Sequence, residues 1–384
     1  MKKLLLASAI TLALTGCGGG TNSKTTPPVE LPPTTPPPVT VTPTPQEVFS
    51  AIAETVDGSN YQYARFDIVG DSKMIIYRAT NLNTITNGVT DADIENAVLV
   101  DYSDPNNIQT TNMGIGTIAR GTVVADFDGD SVNDYYAYSH GHEFGAGENH
   151  ASEGNNIVYL SSLQYQGKVV GNGYTHGACA GDFNSDTFVD ILDVNVYRSS
   201  PLVRYNDGNG NFTAYDTPLE LREPIQENFT SCVAIDTNND TIDDVVLGRN
   251  ADNNQDVNGH TVLLGGTDSL TFGYETDVIP YDHAVPDGAP STLKMFNVSD
   301  HYVIALVSDY RTDWADLLEV TDNGLLLIDS VTLSSDATSH DAELIYGEMV
   351  IFNSHTSTLE NYYTEAVSHI SIVDSKLVEA IKTR

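Results

Sequence analysis

Along most of the chain, short apolar runs alternate with polar, turn-rich segments. Met74-Ile75-Ile76-Tyr77, Ile191-Leu192-Asp193-Val194-Asn195-Val196, Val245-Val246-Leu247, Tyr302-Val303-Ile304-Ala305-Leu306 and Met349-Val350-Ile351-Phe352 are examples. These runs are short, rich in β-branched residues and partly alternating, which is the pattern of strands. Leu202-Val203-Arg204-Tyr205, then Asn206-Asp207-Gly208-Asn209-Gly210-Asn211, then Phe212 reads as a hairpin with its turn. Almost nothing reads as a long amphipathic helix; residues 364–382 fit either state. The expected class is all-β.

The polar segments repeat. Asp126-Phe127-Asp128-Gly129-Asp130-Ser131-Val132-Asn133-Asp134 follows the apolar run Val123-Val124-Ala125. Asp182-Phe183-Asn184-Ser185-Asp186-Thr187-Phe188-Val189-Asp190 follows Cys179-Ala180-Gly181, and Asp236-Thr237-Asn238-Asn239-Asp240-Thr241-Ile242-Asp243-Asp244 follows Val233-Ala234-Ile235. All three read Asp-x-(Asp/Asn)-x-Asp-x-x-x-Asp, and they start 56 and then 54 residues apart. One match in so acidic a chain means little. Three matches in register, each between strand-like flanks, form a repeat.

This spacing suits a hard cation. Ca²⁺ takes six to eight oxygen ligands at about 2.3–2.6 Å. Side chains at positions 1, 3, 5 and 9 of a tight loop surround one ion, and the carbonyl of position 7 completes the set. The expected ligands are Asp126, Asp128, Asp130, Val132 and Asp134 in the first loop. They are Asp182, Asn184, Asp186, Phe188 and Asp190 in the second, and Asp236, Asn238, Asp240, Ile242 and Asp244 in the third. Val132, Phe188 and Ile242 would offer carbonyls while their apolar side chains point into the core. An EF-hand shares this spacing but needs a bidentate Glu at position 12 and flanking helices. Position 12 here is Ala137, Asp193 or Leu247, and the flanks read as strands.

A period of about 55 residues matches four short strands and their turns, the size of one propeller blade. Weaker units flank the clear ones: Phe66–Asp71 before Met74, Met295–Asp300 before Tyr302, and Leu344–Glu348 before Met349. Residues 46–384 would then form six or seven four-stranded antiparallel blades. Asp-x-Asp-Gly-Asp-x-x-x-Asp, followed by a strand and later Asn-Asp-Gly-Asn-Gly-Asn-Phe, resembles the FG-GAP/VCBS repeat family, which includes the calcium-loop blades of integrin-type β-propellers. The likeness is clearest over residues 121–247. It implies a β-propeller and bound Ca²⁺. That family usually carries Gly at loop position 6, where this chain has Ser131, Thr187 and Thr241. The departure implies loops that are strained or that bind more weakly.

The N-terminus carries a different message. Met1-Lys2-Lys3 precedes the apolar run 4–14, too short for a permanent bilayer span. Leu14-Thr15-Gly16-Cys17 looks like a bacterial lipobox, which implies removal of residues 1–16 and lipidation of Cys17. Nine of the 16 prolines fall between Pro27 and Pro45, so residues 17–45 read as an extended tether rather than a core-forming segment. The expected place is the outer membrane, reached through the lipid anchor alone, with the domain facing the periplasm or the cell surface. Cys179 and Cys232 would sit in an oxidising compartment. A bridge and two buried thiols both fit, because strands of adjacent blades can stand too far apart for bridging.

Charge narrows the partners. There are 17 Lys+Arg against 53 Asp+Glu, a formal net charge of −36. A nucleic-acid binder needs clustered cations, and an anionic membrane surface repels such a chain. One loop concentrates other chemistry: His140, His142, Glu143, Glu148 and His150, with His176 downstream. Imidazoles beside carboxylates bind transition metals or act as general acid and base, although this spacing matches no zinc motif. Trp314 and the 20 tyrosines serve either as sugar-stacking platforms or as packing between blades. The expectation is a monomeric, calcium-stabilised binder of an extracellular glycan or protein. The alternative is a polysaccharide lyase or hydrolase that uses the His140 to His176 region.

Overall fold

The computed structural model describes residues 63–70, 72–80, 93–104, 106–139, 154–194, 201–216, 228–250, 259–264, 273–274, 279–280, 291–299, 301–308, 313–321, 324–333, 340–345, 348–353 and 368–381. These residues form antiparallel meanders, taken up one after another along the chain. The first contains β1 (Tyr63–Gly70), β2 (Lys73–Ala79), β3 (Val98–Asp101) and β4 (Gln109–Asn112). The second contains β5 (Ala119–Ala125), β6 (Asp134–Ser139), β7 (Gly154–Tyr159) and β8 (Gly167–Gly173), with a 3-10 turn at Ser161–Leu163 between the last two. The third contains β9 (Gly177–Gly181), β10 (Asp190–Val194), β11 (Leu202–Asn206) and β12 (Phe212–Asp216).

The fourth meander contains β13 (Asn228–Ile235), β14 (Asp244–Asn250) and β15 (Gly259–Leu264); β16 (Gly273–Tyr274) and β17 (Ile279–Pro280) both pair with β15. The fifth contains β18 (Ser291–Ser299), β19 (Tyr302–Ser308), β20 (Asp313–Thr321) and β21 (Gly324–Thr332). A single pair, Asn250 with Ser291, joins the fourth to the fifth, so these two run as one sheet. The sixth contains β22 (His340–Ile345), β23 (Glu348–Asn353), β24 (Ser368–Val373) and β25 (Lys376–Ile381). The all-β class expected from the sequence is present, and residues 368–381, ambiguous in sequence, are a hairpin. The three weaker repeat units fall where β1 leads to β2, β18 to β19 and β22 to β23.

Burial explains why these runs become strands. Every residue of β6 and of β10 is buried, whereas β4 is exposed throughout. A strand covered on both faces reads as a continuous apolar run. Because side chains alternate, the two faces of β6, β10, β14 and β19 serve different neighbours. Tyr135 and Ala137 pack with Ile75, Tyr77 and Leu99 of the first meander. Tyr136 and Tyr138 pack with Ile191 of the third. Leu192 and Val194 meet Val245 and Leu247 of the fourth. Val246 meets Val303, Ala305 and Trp314 of the fifth, and Ile304 and Leu306 meet Ile370 and Leu377 of the sixth. The core is therefore a series of slabs between successive meanders. Trp314 lies in one of them, so it packs and does not serve as a stacking platform. Burying one such large side chain contributes about 1.5–3 kcal/mol.

The first strands run side by side: β1 by β5, β5 by β9, β9 by β13, β13 by β18, β18 by β22, and β22 by β1. A cavity of about 410 Å³ lies among them, lined by Ile68, Val124, Ala180, Ala234 and Phe296 among others. β9 and β13 approach closely. A side chain on Gly177 or Gly181 would collide with Thr230, Ser231 or Ala234 of β13, so glycine is needed at both positions. This closeness brings the Cα atoms of Cys179 and Cys232 to 5.6 Å, and the two are joined as a disulfide. The distance that left the pairing open in sequence is closed by the two glycines.

Candidate metal centres

Each acidic repeat connects the first strand of a meander to its second: β5 to β6, β9 to β10, and β13 to β14. The loops thus join strands, not helices. Their backbones follow one plan. The position 1 carboxylate (Asp126, Asp182 or Asp236) accepts the N–H groups of positions 5 and 6 in all three. The position 5 carboxylate (Asp130, Asp186 or Asp240) accepts the N–H of position 7. Positions 4 and 6 both take left-handed backbone. φ is 75°, 63° and 60° at Gly129, Ser185 and Asn239, and 65°, 74° and 74° at Ser131, Thr187 and Thr241. The missing position 6 glycines are therefore a real departure, since a side chain there costs about 1–2 kcal/mol.

Position 9 turns inward. Asp134, Asp190 and Asp244 are fully buried, and each accepts the N–H of position 2. Asp134 also accepts the N–H of Ser161, just past the third strand of its meander, and Asp190 that of Asn206, the last residue of its third strand. These carboxylates fasten the loop to its own sheet. Burial pushes Asp134 above the usual carboxylate range and Asp190 up to about 7.

The loops differ where an ion would sit. In the first, Asp126, Asp128 and Asp130 bring carboxylate oxygens within 4.8 Å of one another. Asp128 Oδ1 is buried and has no partner. An oxygen-only set with an orphaned buried acceptor fits a hard cation such as Ca²⁺. In the second loop, the Asn184 amide donates to Asp186 Oδ2 at 3.0 Å and accepts the Asp186 N–H at 2.9 Å. In the third, Asn238 accepts the Asp240 N–H at 2.9 Å. Asp243, at position 8, accepts the N–H of Asp182 and donates its own N–H to the Asp182 carbonyl, latching the third loop to the second. Burial first, and the charges of Asp182 and Asp236 after it, raise the Asp243 pKa.

The position 7 side chains correct an expectation. Val132 is 45% and Phe188 42% exposed; of the three, Ile242 alone is buried. The space beneath the first two loops is taken by Phe127 and Phe183 at position 2. In the third loop position 2 is the smaller Thr237, and Ile242 fills inward instead.

His140, His142, Glu143, Glu148 and His150 lie outside the described residues, as does Cys17. His176 precedes β9, at the end away from the second loop. Its Nε2 lies 3.3 Å from Arg120 Nη1, and its ring is 5.1 Å from that of Tyr174. Among the described residues no helix is long and apolar enough to cross a membrane.

Sequence reasoning missed two features. Ser161 Oγ–H donates to Asp130 Oδ2 at 2.6 Å, and Ser162 Oγ–H donates to Asp128 Oδ2, so the β7–β8 turn reaches the first loop. Between the second and third meanders, Asp193 accepts from Tyr136 Oη–H at 2.7 Å, Arg204 Nε–H at 2.8 Å and Asn156 Nδ2–H at 3.2 Å. Arg204 also donates to the Val170 carbonyl at 3.0 Å. Asp193 and Arg204 are buried, and single charges inside the apolar runs Ile191–Val194 and Leu202–Tyr205 were the available signal.

No family model and no curated protein matches the chain. Solved structures similar to it include the Dos1 propeller, at 11% identity and TM-score 0.40, covering 78% of this chain and 71% of that one. A protein from Lactobacillus plantarum is 13% identical with TM-score 0.37, covering 81% and 95%. A putative oxidoreductase (glucose dehydrogenase) from Thermus thermophilus is 12% identical with TM-score 0.43, covering 78% and 93%.

Proposed function

We propose that the chain is a calcium-stabilised, six-bladed β-propeller, lipid-anchored at a bacterial envelope, that binds an extracellular glycan or protein without turning it over. The ring of neighbouring first strands, with β22 beside β1, supports the propeller. The observation that carries the calcium reading is the convergence of Asp126, Asp128 and Asp130 around the unpartnered Asp128 Oδ1. Ca²⁺ would supply the positive charge that offsets repulsion among these carboxylates. Asp126, Asp128 and Asp130 would hold it in the first loop; Asp182, Asn184 and Asp186, and Asp236, Asn238 and Asp240, would hold it in the other two. Position 9 keeps each loop fastened to its sheet with or without the ion.

The cavity among the first strands supports binding. Thr122, Tyr138, Ser231, Lys294 and Asn297 line it alongside apolar residues, a mixture of hydroxyls, amide and cation suited to a polyhydroxyl or peptide ligand. The Leu14–Cys17 lipobox and the proline-rich segment support display on a tether.

The deciding experiment is a thermal melt of the full-length chain in EGTA and in excess Ca²⁺. Saturating three sites at about 100 Kd stabilises by roughly 8 kcal/mol, a melting shift on the order of 10 °C or more. Identical melts reject the calcium reading. The anchor is tested by Cys17→Ala, which moves the chain from the membrane to the soluble fraction. Binding is tested by a glycan array probed with the full-length chain.

A further inference from the structure

The first loop is contacted by a turn whose serines lie 31 and 34 residues from their partners in sequence. After β7, the 3-10 turn places the Ser161 hydroxyl on Asp130 Oδ2 and the Ser162 hydroxyl on Asp128 Oδ2. The Ser161 N–H, meanwhile, holds Asp134 Oδ1 at 2.7 Å. One turn therefore touches loop positions 3, 5 and 9 together. The two hydroxyl contacts use Oδ2 of Asp128 and Oδ2 of Asp130, while Asp130 Oδ1 accepts the Val132 N–H. The other oxygen of Asp128 is the buried one without a partner.

The same place in the third meander is built differently. Asn206 supplies the N–H that holds Asp190, so it is the counterpart of Ser161. Its side-chain amide points away from the second loop's carboxylates, donating to the Phe127 carbonyl at 2.7 Å and the Val189 carbonyl at 3.0 Å. The next residue, Asp207, is engaged by Asn209 and Asn211 of its own hairpin. No hydroxyl from β11–β12 reaches the second loop's ligand set among the described residues.

We infer that Ser161 and Ser162 are positioning residues of the first cation site, making it a two-segment site for a divalent oxygen-seeking cation, tighter than the single-loop site at Asp182. This rests on the calcium reading of the loops. A hydroxyl donates one hydrogen and retains two lone pairs. Each serine thus fixes a carboxylate that would otherwise swing away from its like-charged neighbours. With both carboxylates held, the three acidic side chains keep their oxygens within 4.8 Å of one another. Groups that orient metal ligands in this way change affinity by about 10–100-fold when removed.

The test is calcium titration calorimetry on the full-length chain, with Asp128→Ala used to identify the first site. In the double variant Ser161→Ala, Ser162→Ala, the first site weakens by about tenfold, the other sites keep their affinities, and the ion-free melting temperature is unchanged. The double variant Ser161→Thr, Ser162→Thr keeps the hydroxyls and the wild-type affinity. Wild-type affinity at the first site in the alanine pair overturns the inference, as does equal weakening in the threonine pair. Equal weakening of all sites in the alanine pair also overturns it, because that is a global effect. A wild-type chain that takes up no calcium sinks both this inference and the calcium reading; serine-independent calcium binding sinks this inference alone.

Discussion

The first and second acidic loops share a backbone and differ in what they aim at its centre. Asp126 and Asp182 gather the same two N–H groups, and Asp134 and Asp190 are buried on the same kind of anchor. At position 3, however, the first has Asp128 with a buried free oxygen, and the second has Asn184 hydrogen-bonded to Asp186. The end of the third strand and the turn after it bring hydroxyls to one loop, and for the other place an amide that donates elsewhere. Loop shape is thus set by positions 1, 5 and 9. Charge convergence is set separately, by position 3 and by residues remote in sequence.

The strongest way to break this comparison is through the disulfide, which ties the strands leading into the second and third loops but not β5. Replacing both Cys179 and Cys232 by Ser opens a 53-residue link and lowers stability by up to about 4 kcal/mol in urea unfolding. Calcium affinity at the first loop should be unchanged; a large loss there would show that the loops do not respond separately. Next in size, Asp134→Ala and Asp190→Ala should each cost about 3 kcal/mol in EGTA, since each leaves two backbone N–H groups unpaired. Equal losses are required if position 9 is common scaffold.

The contrast can also be erased. Asn184→Asp gives the second loop the carboxylates of the first, and its calcium affinity by calorimetry should rise by roughly tenfold through the added ligand charge. An unchanged affinity would mean that position 3 does not separate the two loops. The smallest effect concerns a shared defect. Thr187→Gly relieves left-handed strain at the cost of unfolded-chain freedom, for a net gain of roughly 0.5 kcal/mol in thermal unfolding. Ser131→Gly should gain no more than that.

Much of this was legible before any coordinates. The apolar runs became strands because each is short, alternating and bounded by turn residues, and the acidic spacing located all three loops. Residues 368–381 were ambiguous because their turn lacks glycine; Asp374 and Ser375 make it with φ of 51° and 59°. Position 7 was misread because burial there depends on the size of position 2, a competition that spacing does not reveal. The serines were invisible because their relation to Asp128 and Asp130 exists only once β7 has folded back. The disulfide could not be chosen because the interstrand distance depends on what Gly177 and Gly181 lack.

The alternation within the second strands has a consequence for how this chain can change over time. In β10, Ile191 answers to one neighbour and Leu192 to the other. Inserting or deleting a single residue there would exchange both allegiances at once, and no local adjustment repairs two mismatched surfaces. Length variation among descendants of this sequence should therefore accumulate in the connections after the second and third strands, while β6, β10 and β14 keep their residue count even as their side chains drift.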